Sequence, residues 1–245
     1  MMEREFLKGK SAIVTGATGG IGMSICRKLA AYGMNVTAVG RNEAKLKEVS
    51  EMIGSCGGVA MPVAGDITNS GFIDELLKNV KSRFGGVDVL INCAGIAQRD
   101  KFEDITPEKY DMIMDTNVKA PYFLSQKSLP YLRESNCATI INIASVVAHK
   151  GYPLQSVYAA SKHALLGWSK SLANEVFEED IRVHVIAPGG VYTDMVALSR
   201  PDLTRDGMPV PEDVADTVGF LLEMRHTNAV FDELEFHRKN KAPFA

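Results

Sequence analysis

Ser11-Ala12-Ile13-Val14-Thr15-Gly16-Ala17-Thr18-Gly19-Gly20-Ile21-Gly22 is the stretch on which the reading of the fold depends. Its first five residues form a short, mostly apolar run, the pattern of a strand buried on both faces of a parallel sheet. The glycines that follow open a turn into a helix over residues 21–32, stopped by Gly33. A strand that runs through such a turn into a helix presents backbone N–H groups at a helix N-terminus. The helix dipole favours an anion there, and a Cβ would obstruct its approach. Gly16 is expected to supply the tight bend, Gly20 the close approach of a pyrophosphate, and Gly22 the close contact of helix with strand.

Strand and helix signals alternate on either side of this turn. Residues 35–39, 60–63, 87–92, 138–143, 182–187 and 234–236 read as further strands. Helical patterns cover 42–53, 70–84, 157–177 and 211–223. Another helix starts at Thr106-Pro107, with Thr at the cap and Pro in the first turn, and runs towards Arg133 with a bend at Pro121. Apolar strands separated by helices imply an α/β, doubly wound parallel sheet covered on both faces, in a single domain over residues 1–245. Such sheets bind ligands at the carboxyl ends of their strands, where the strand order reverses.

Composition narrows the function classes. Hydrophobic residues at 46% and charged residues at 23% are ordinary for a soluble globular protein. A net charge of −3 offers no general basic field for nucleic acid. No apolar run approaches the roughly 18 residues of a membrane span, and Met1 to Phe6 contains no signal-peptide core. Cys26, Cys56, Cys93 and Cys137 show neither a close pair nor metal-ligand spacing, so free thiols, a cytoplasmic location and no metal site are expected.

Tyr158 and Lys162 are four residues apart within a helical pattern and therefore share a face. Ser145 follows the apolar strand and should emerge at the same ligand-binding edge. A phenol with an ordinary pKa of about 10 is a reluctant base. An ammonium about 4 Å away would favour its anion by roughly 4 kcal/mol at an effective dielectric of 20, an upper limit of about three pKa units. Tyr158 is thus expected to be a proton donor and acceptor tuned by Lys162.

The spacing Thr-Gly-x-x-x-Gly-x-Gly resembles that of the short-chain dehydrogenase/reductase family, and other motifs of that family follow in order over residues 9–223. Gly65-Asp66-Ile67 is similar to its adenine-contacting segment, and Asn92-Cys93-Ala94-Gly95 to its Asn-Asn-Ala-Gly with a cysteine in second place. Asn117, Ser145, Tyr158 and Lys162 match its catalytic tetrad, and Pro188-Gly189 its motif after the sixth strand. The resemblance implies a Rossmann-like domain and a nicotinamide dinucleotide cofactor. Gly16, Thr18, Gly19, Gly20, Ile21, Gly22, Arg41, Asp66, Ile67, Asn92, Ala94, Gly95, Tyr158, Lys162, Pro188, Gly189, Val191 and Thr193 would bind it. It also implies that Lys162 holds the nicotinamide ribose, that Asn117 belongs to a helix position holding a water in a proton relay, and that Thr193 and the Val191 backbone bind the carboxamide.

An acid closing the second strand would bind both ribose hydroxyls and repel a 2′-phosphate. This chain has Val39-Gly40-Arg41-Asn42, where Arg41 offers a fork of donors to a phosphate, so NADP(H) is favoured over NAD(H). The expected reaction is hydride transfer between a carbonyl and a secondary alcohol, with Ser145 holding the oxygen and Tyr158 exchanging the proton.

His149, Tyr152, Leu154, Tyr192 and Met195 lie on segments beside the expected pocket, and Ser145, His149, Tyr152, Tyr158 and Tyr192 are the candidate substrate residues. The short stretch between Thr193 and Pro211 suggests a small lid and a compact carbonyl or alcohol substrate. The C-terminus lacks the Asp-Gly-Gly tail of the family's acyl-carrier reductases. It reads instead as a final strand and a solvated basic tail, His237-Arg238-Lys239-Asn240-Lys241, closer to relatives that oxidise small 3-hydroxy acids or hydroxy amino acids. Both a 3-oxoacyl-carrier-protein reductase and a small 3-hydroxy acid dehydrogenase remain as alternatives. A non-catalytic dinucleotide sensor would not need the tetrad, and an epimerase or dehydratase would usually carry a larger C-terminal substrate region. By resemblance, the helices of Tyr110 and Tyr158 pack between subunits of a homotetramer or homodimer.

Overall fold

The computed structural model describes residues 2–193, 196 and 204–242, with side chains from Arg4 onward. Met195 and most of the expected lid fall outside the described residues. The elements in chain order are β1 (Ser11–Thr15), α1 (Gly20–Ala31), β2 (Asn35–Gly40), α2 (Glu43–Ser55), β3 (Val59–Ala64), α3 (Ser70–Phe84) and β4 (Val89–Asn92). They continue with α4 (Pro107–Met114), α5 (Ala120–Leu132), β5 (Thr139–Ile143), α6 (Ser156–Val176), β6 (Arg182–Pro188), α7 (Pro211–Glu223) and β7 (Glu233–Phe236).

Every strand pairing is parallel, and the order is β3-β2-β1-β4-β5-β6-β7. The order reverses between β1 and β4, which opens a crevice at their carboxyl ends. All residues of β1, β4 and β5 are buried, as strands with helices on both faces must be. One core cluster packs α1, α2 and α7 against one face around Val14, Ile25, Leu29 and Val218. A second packs α3 and α5 against the other around Ile13, Leu76, Leu90 and Leu124.

The helix starts follow the expected chemistry. Asn42 accepts the Lys45 N–H at 3.0 Å, and Thr106 accepts that of Lys109 at 3.3 Å with Pro107 in the first turn. The bend expected at Pro121 sits just upstream of it. Residues Asp115–Lys119 form a single π-turn joining α4 to α5, closed by the Ala120 N–H on the Asp115 carbonyl. Pro121 carries no N–H and cannot close the normal bond to the Asn117 carbonyl, so the ladder widens there.

Buried polar side chains tie the sheet to the helices beneath the crevice. Asn92 Nδ2 donates to Ser125 Oγ at 3.0 Å and to Asn142 Oδ1 at 2.8 Å, and Asn142 Nδ2 donates to Ser169 Oγ at 2.7 Å. This chain fixes α5 and α6 against β4 and β5, and with them the residues at the head of α6.

Candidate active site

A cavity of about 1030 Å³ runs along the carboxyl ends of the strands. Its lining begins with the glycine-rich turn. Gly16 has φ +67°, and a Cβ there would meet Ala94 Cα at 2.8 Å. A Cβ on Gly22 would lie 2.2 Å from the Gly16 carbonyl oxygen. These two glycines are demanded by the turn's own packing. Gly19 and Gly20 differ, since a Cβ on either would find its nearest neighbour at 3.5 Å or 3.4 Å. They face the cavity. Gly19 caps α1 without any side-chain acceptor, which leaves the first-turn N–H groups of the helix to a ligand. The cradle therefore fits a pyrophosphate.

Thr18, Ile21, Arg41, Asp66, Ile67, Ala94, Gly95, Pro188, Gly189, Val191 and Thr193 also line this cavity. Asp66 Oδ1 accepts from both the N–H and the hydroxyl of Thr68, each at 2.9 Å, and those bonds hold its carboxyl below the usual range, with a smaller contribution from Arg41. Thr193 packs its methyl beside Gly20 and accepts the Val196 N–H at 3.3 Å.

At the other end, Ser145, Tyr158 and Lys162 converge on the same cavity. Ser145 stands near enough to the Tyr158 phenol to oppose its upward shift, and its Oγ accepts the Val147 N–H at 3.4 Å. Gln98 Oε1 accepts the N–H groups of Val157 and Tyr158 at 2.9 and 3.1 Å, which caps α6 where the tyrosine sits. Lys162 is buried, donates to the Ile143 carbonyl at 2.8 Å, and places Nζ 5.8 Å from the centre of the Tyr158 ring.

The electrostatics depart from the sequence expectation in one respect. Burial raises the Tyr158 phenol above its ordinary value, and the Ser145 hydrogen bond opposes that only in part. Lys162 is itself pushed down to about 8 by burial. The lysine gives one of its three N–H groups to Ile143 and does not, with the chain's own groups alone, depress the phenol.

The side chains of four expected site residues are engaged elsewhere. Asn92 is buried in the hydrogen-bonded chain under the crevice and positions strands instead of lining the cavity. Asn117 clamps Ile96, accepting its N–H at 2.8 Å and donating to its carbonyl at 2.9 Å, and also donates to Ser161 at 3.0 Å, so its side chain is fully committed below the surface. His149 pairs with Glu233 on β7. Tyr192 lines a separate small cavity with Arg205 and Pro211, on the far side of Thr193. Tyr152 lines the main cavity, but Leu154 does not.

Other residues complete the site. Lys45, at the third position of α2, joins Arg41 at the adenine end. Thr15 Oγ1 accepts the N–H groups of both Cys93 and Ala94 at 3.1 Å, which fixes the start of the β4 loop. Arg238 and Lys241 of the C-terminal tail line the cavity, so the tail is part of its wall and not simply solvated.

A glycine cradle and a Ser–Tyr–Lys cluster on one parallel sheet are matched by a family model described as short chain dehydrogenase, over residues 10–204. The chain belongs to that family. It is 37% identical to the 3-oxoacyl-acyl-carrier-protein reductase FabG of Salmonella typhimurium, over 87% of this chain and 90% of the relative. It is 34% identical to the D-beta-hydroxybutyrate dehydrogenase of Rhizobium meliloti, over 85% of this chain and 82% of that one. Among solved structures, a metagenomic short-chain oxidoreductase in complex with NADP superposes with a TM-score of 0.82 at 31% identity, covering 95% of this chain and 99% of the other. This family member is an oxidoreductase with a nucleotide cofactor. The four cysteines are free, and no helix among the described residues is long and apolar enough to cross a membrane.

Proposed function

We propose that this chain catalyses the NADP(H)-dependent interconversion of a small carbonyl compound and its secondary alcohol. The observation that carries the reading is that Ser145, Tyr158 and Lys162 line the same cavity as the glycine cradle. When bound, the nicotinamide supplies or accepts the hydride at the carbonyl carbon. In reduction Tyr158 gives its proton to the carbonyl oxygen, and in oxidation it takes the proton back. Ser145 holds that oxygen by a hydrogen bond. Lys162 sits behind the tyrosine to bind the ribose and pass protons onward. Asn117 acts through its main chain, since its amide is committed to Ile96 and Ser161 and Pro121 cannot supply its carbonyl with a helical N–H.

Absorbance assays with NADPH and NADH against 3-oxoacyl esters, small keto acids, diketones and steroids test the reading. NADPH oxidation is expected with at least one class, and silence across the panel would sink the proposal. The alternatives within it, an acyl-carrier substrate or a small 3-hydroxy acid, separate in the same assay.

Preference for NADP(H) rests on Arg41 and Lys45. A hydrogen bond to a charged group contributes about 1.5–3 kcal/mol, roughly a tenfold to hundredfold change in affinity. Arg41→Ala is expected to raise the KM for NADPH by about that factor and to change the KM for NADH much less, with Lys45→Ala following in the same direction. Equal losses with both cofactors would remove the 2′-phosphate from its assigned place.

A homotetramer or homodimer is part of the proposal. Tyr110, Met112, Tyr122 and Phe123 of α4 and α5 are exposed apolar side chains, and Tyr122 stacks edge-on with Trp168 of α6 at 5.7 Å. Light scattering is expected to give the mass of two or four chains, and a single-chain mass would reject it.

A further inference from the structure

The strand order separates the two ends of the cavity, with Arg41 and Lys45 beyond β2 and a second group of cations beyond β4, β5 and β7. This second group is Arg99, Lys150, Arg238 and Lys241, and the carboxylate that lines the same end among the described residues is Glu235. The proposed hydride and proton transfers use none of them.

Contacts fix the chain at two of these cations on the wall of the cavity that holds the reacting centre. Arg99 directly follows Gln98, the residue that caps the Tyr158 helix, and the Asp100 N–H is bonded to the Leu154 carbonyl at 3.1 Å. Arg238 arrives by register. β7 pairs with β6 so that Phe236 lies opposite Pro188, and the Gly189 N–H donates to the Phe236 carbonyl at 2.7 Å. The chain then turns over Gly190, where a Cβ would lie 2.7 Å from Arg238 Nη2. The glycine at 190 leaves the space that the guanidinium fills. The tail beyond is fastened by the Lys239 N–H on Gly207 at 2.9 Å and the Lys241 N–H on Arg238 at 3.0 Å.

Arg238 is half-buried and makes no ion pair with a described residue. Glu233, the other acid of β7, is engaged by His149 and Lys170. A guanidinium partly removed from water without a carboxylate partner is poised for an anion, and its planar fork matches a carboxylate in two parallel hydrogen bonds.

We propose that Arg238, with Lys241 and Arg99 lining the same cavity, binds the carboxylate of the substrate, so that the preferred substrates are small oxo acids and their hydroxy acid counterparts. The inference rests on the carbonyl-reductase reading and adds the charge of the substrate and the residue that recognises it.

Two measurements test it together. Calorimetry would follow acetoacetate binding to protein saturated with NADP⁺, which cannot reduce it, and kinetics with NADPH would compare acetoacetate with methyl acetoacetate. The wild type is expected to favour the acid over the ester by tenfold or more in kcat/KM. Arg238→Ala should cut that ratio at least tenfold and weaken acetoacetate binding by a similar factor, while the Kd for NADPH moves less than twofold. Arg238→Lys should recover part of both losses, and Lys241→Ala, at an exposed position, should lower the ratio by about threefold without risk to folding.

The proposal is overturned if the wild type binds no acetoacetate, if it treats acid and ester alike, or if Arg238→Ala leaves their ratio intact. It is also overturned if that variant loses NADPH affinity by the same factor, which would assign the arginine to the cofactor. Failure of the carbonyl-reductase reading looks different: no compound in the panel is reduced, while calorimetry still reports whether a carboxylate binds through Arg238.

Discussion

Tyr158→Phe is expected to lower kcat by about 10²–10⁴-fold, the range a positioned proton donor contributes, with much smaller effects on cofactor binding. Phenylalanine keeps the ring and removes only the hydroxyl, so the head of α6, capped by Gln98, has no reason to move. Losing one neutral hydrogen bond costs about 1 kcal/mol, so the Kd for NADPH should rise by no more than about fivefold. The pH dependence follows from the direction of the phenol's shift. Burial holds Tyr158 above its ordinary value, so the chain's own groups keep it protonated through neutrality. Protonated phenol is the form that reduction needs, and the reduction rate should stay flat from about pH 6 to 8, below the ordinary phenol value. Oxidation needs the tyrosinate, and its rate should climb as pH rises. Burial pushes Lys162 down to about 8, so the charge that would help the tyrosinate fades above that pH. Stopped-flow and steady-state rates in both directions check this. A Tyr158→Phe enzyme within about tenfold of wild type would remove Tyr158 from the chemistry. An oxidation rate falling with pH would reverse its protonation role.

Sequence reading reached furthest where a local pattern carries the information. The unalternating strands, the Thr106-Pro107 start and the glycine turn each have a physical cause within a few residues, and each stands where expected. It fell short where the deciding partner is distant in the chain. Helical spacing puts Lys162 on the face of Tyr158, but it cannot tell that the Ile143 carbonyl, 19 residues away, takes the ammonium. His149 lies near the pocket in sequence, yet its partner is Glu233, 84 residues on. Asn92 fits the cofactor motif, while the register that sets it opposite Asn142 turns it into the interior. A basic C-terminus looks solvated until β7 is known to pair with β6, because that pairing delivers Arg238 over Gly190. Local propensity has no access to such register.

The glycine turn separates packing from ligand approach by a pair of alanine substitutions. In Gly22→Ala the new methyl would sit 2.2 Å from the Gly16 oxygen and 2.8 Å from its carbonyl carbon. Both are backbone atoms, so no side-chain rotation relieves the overlap. The turn must open, against the 3.0 Å bond from the Gly19 N–H to that same oxygen and the Thr15 bonds that hold the β4 loop beside it. Overpacking in a tight site costs about 1–3 kcal/mol and occasionally more. For a chain of this size that is a fall in Tm of roughly 2–12 °C, read by calorimetry, and the distorted cradle should weaken NADPH binding at least tenfold. Gly20→Ala is the counterpart. Its Cβ would meet Pro211 Cγ at 3.4 Å, an ordinary contact, so Tm should shift by less than about 2 °C. The same methyl would stand beside Thr193 at the first residue of α1, on the cavity wall where the pyrophosphate is expected to approach, and NADPH affinity should drop at least tenfold. Stable Gly20→Ala protein with undiminished NADPH affinity would mean that the phosphates do not lie on the start of α1, and the nucleotide would have to be sought elsewhere along the crevice.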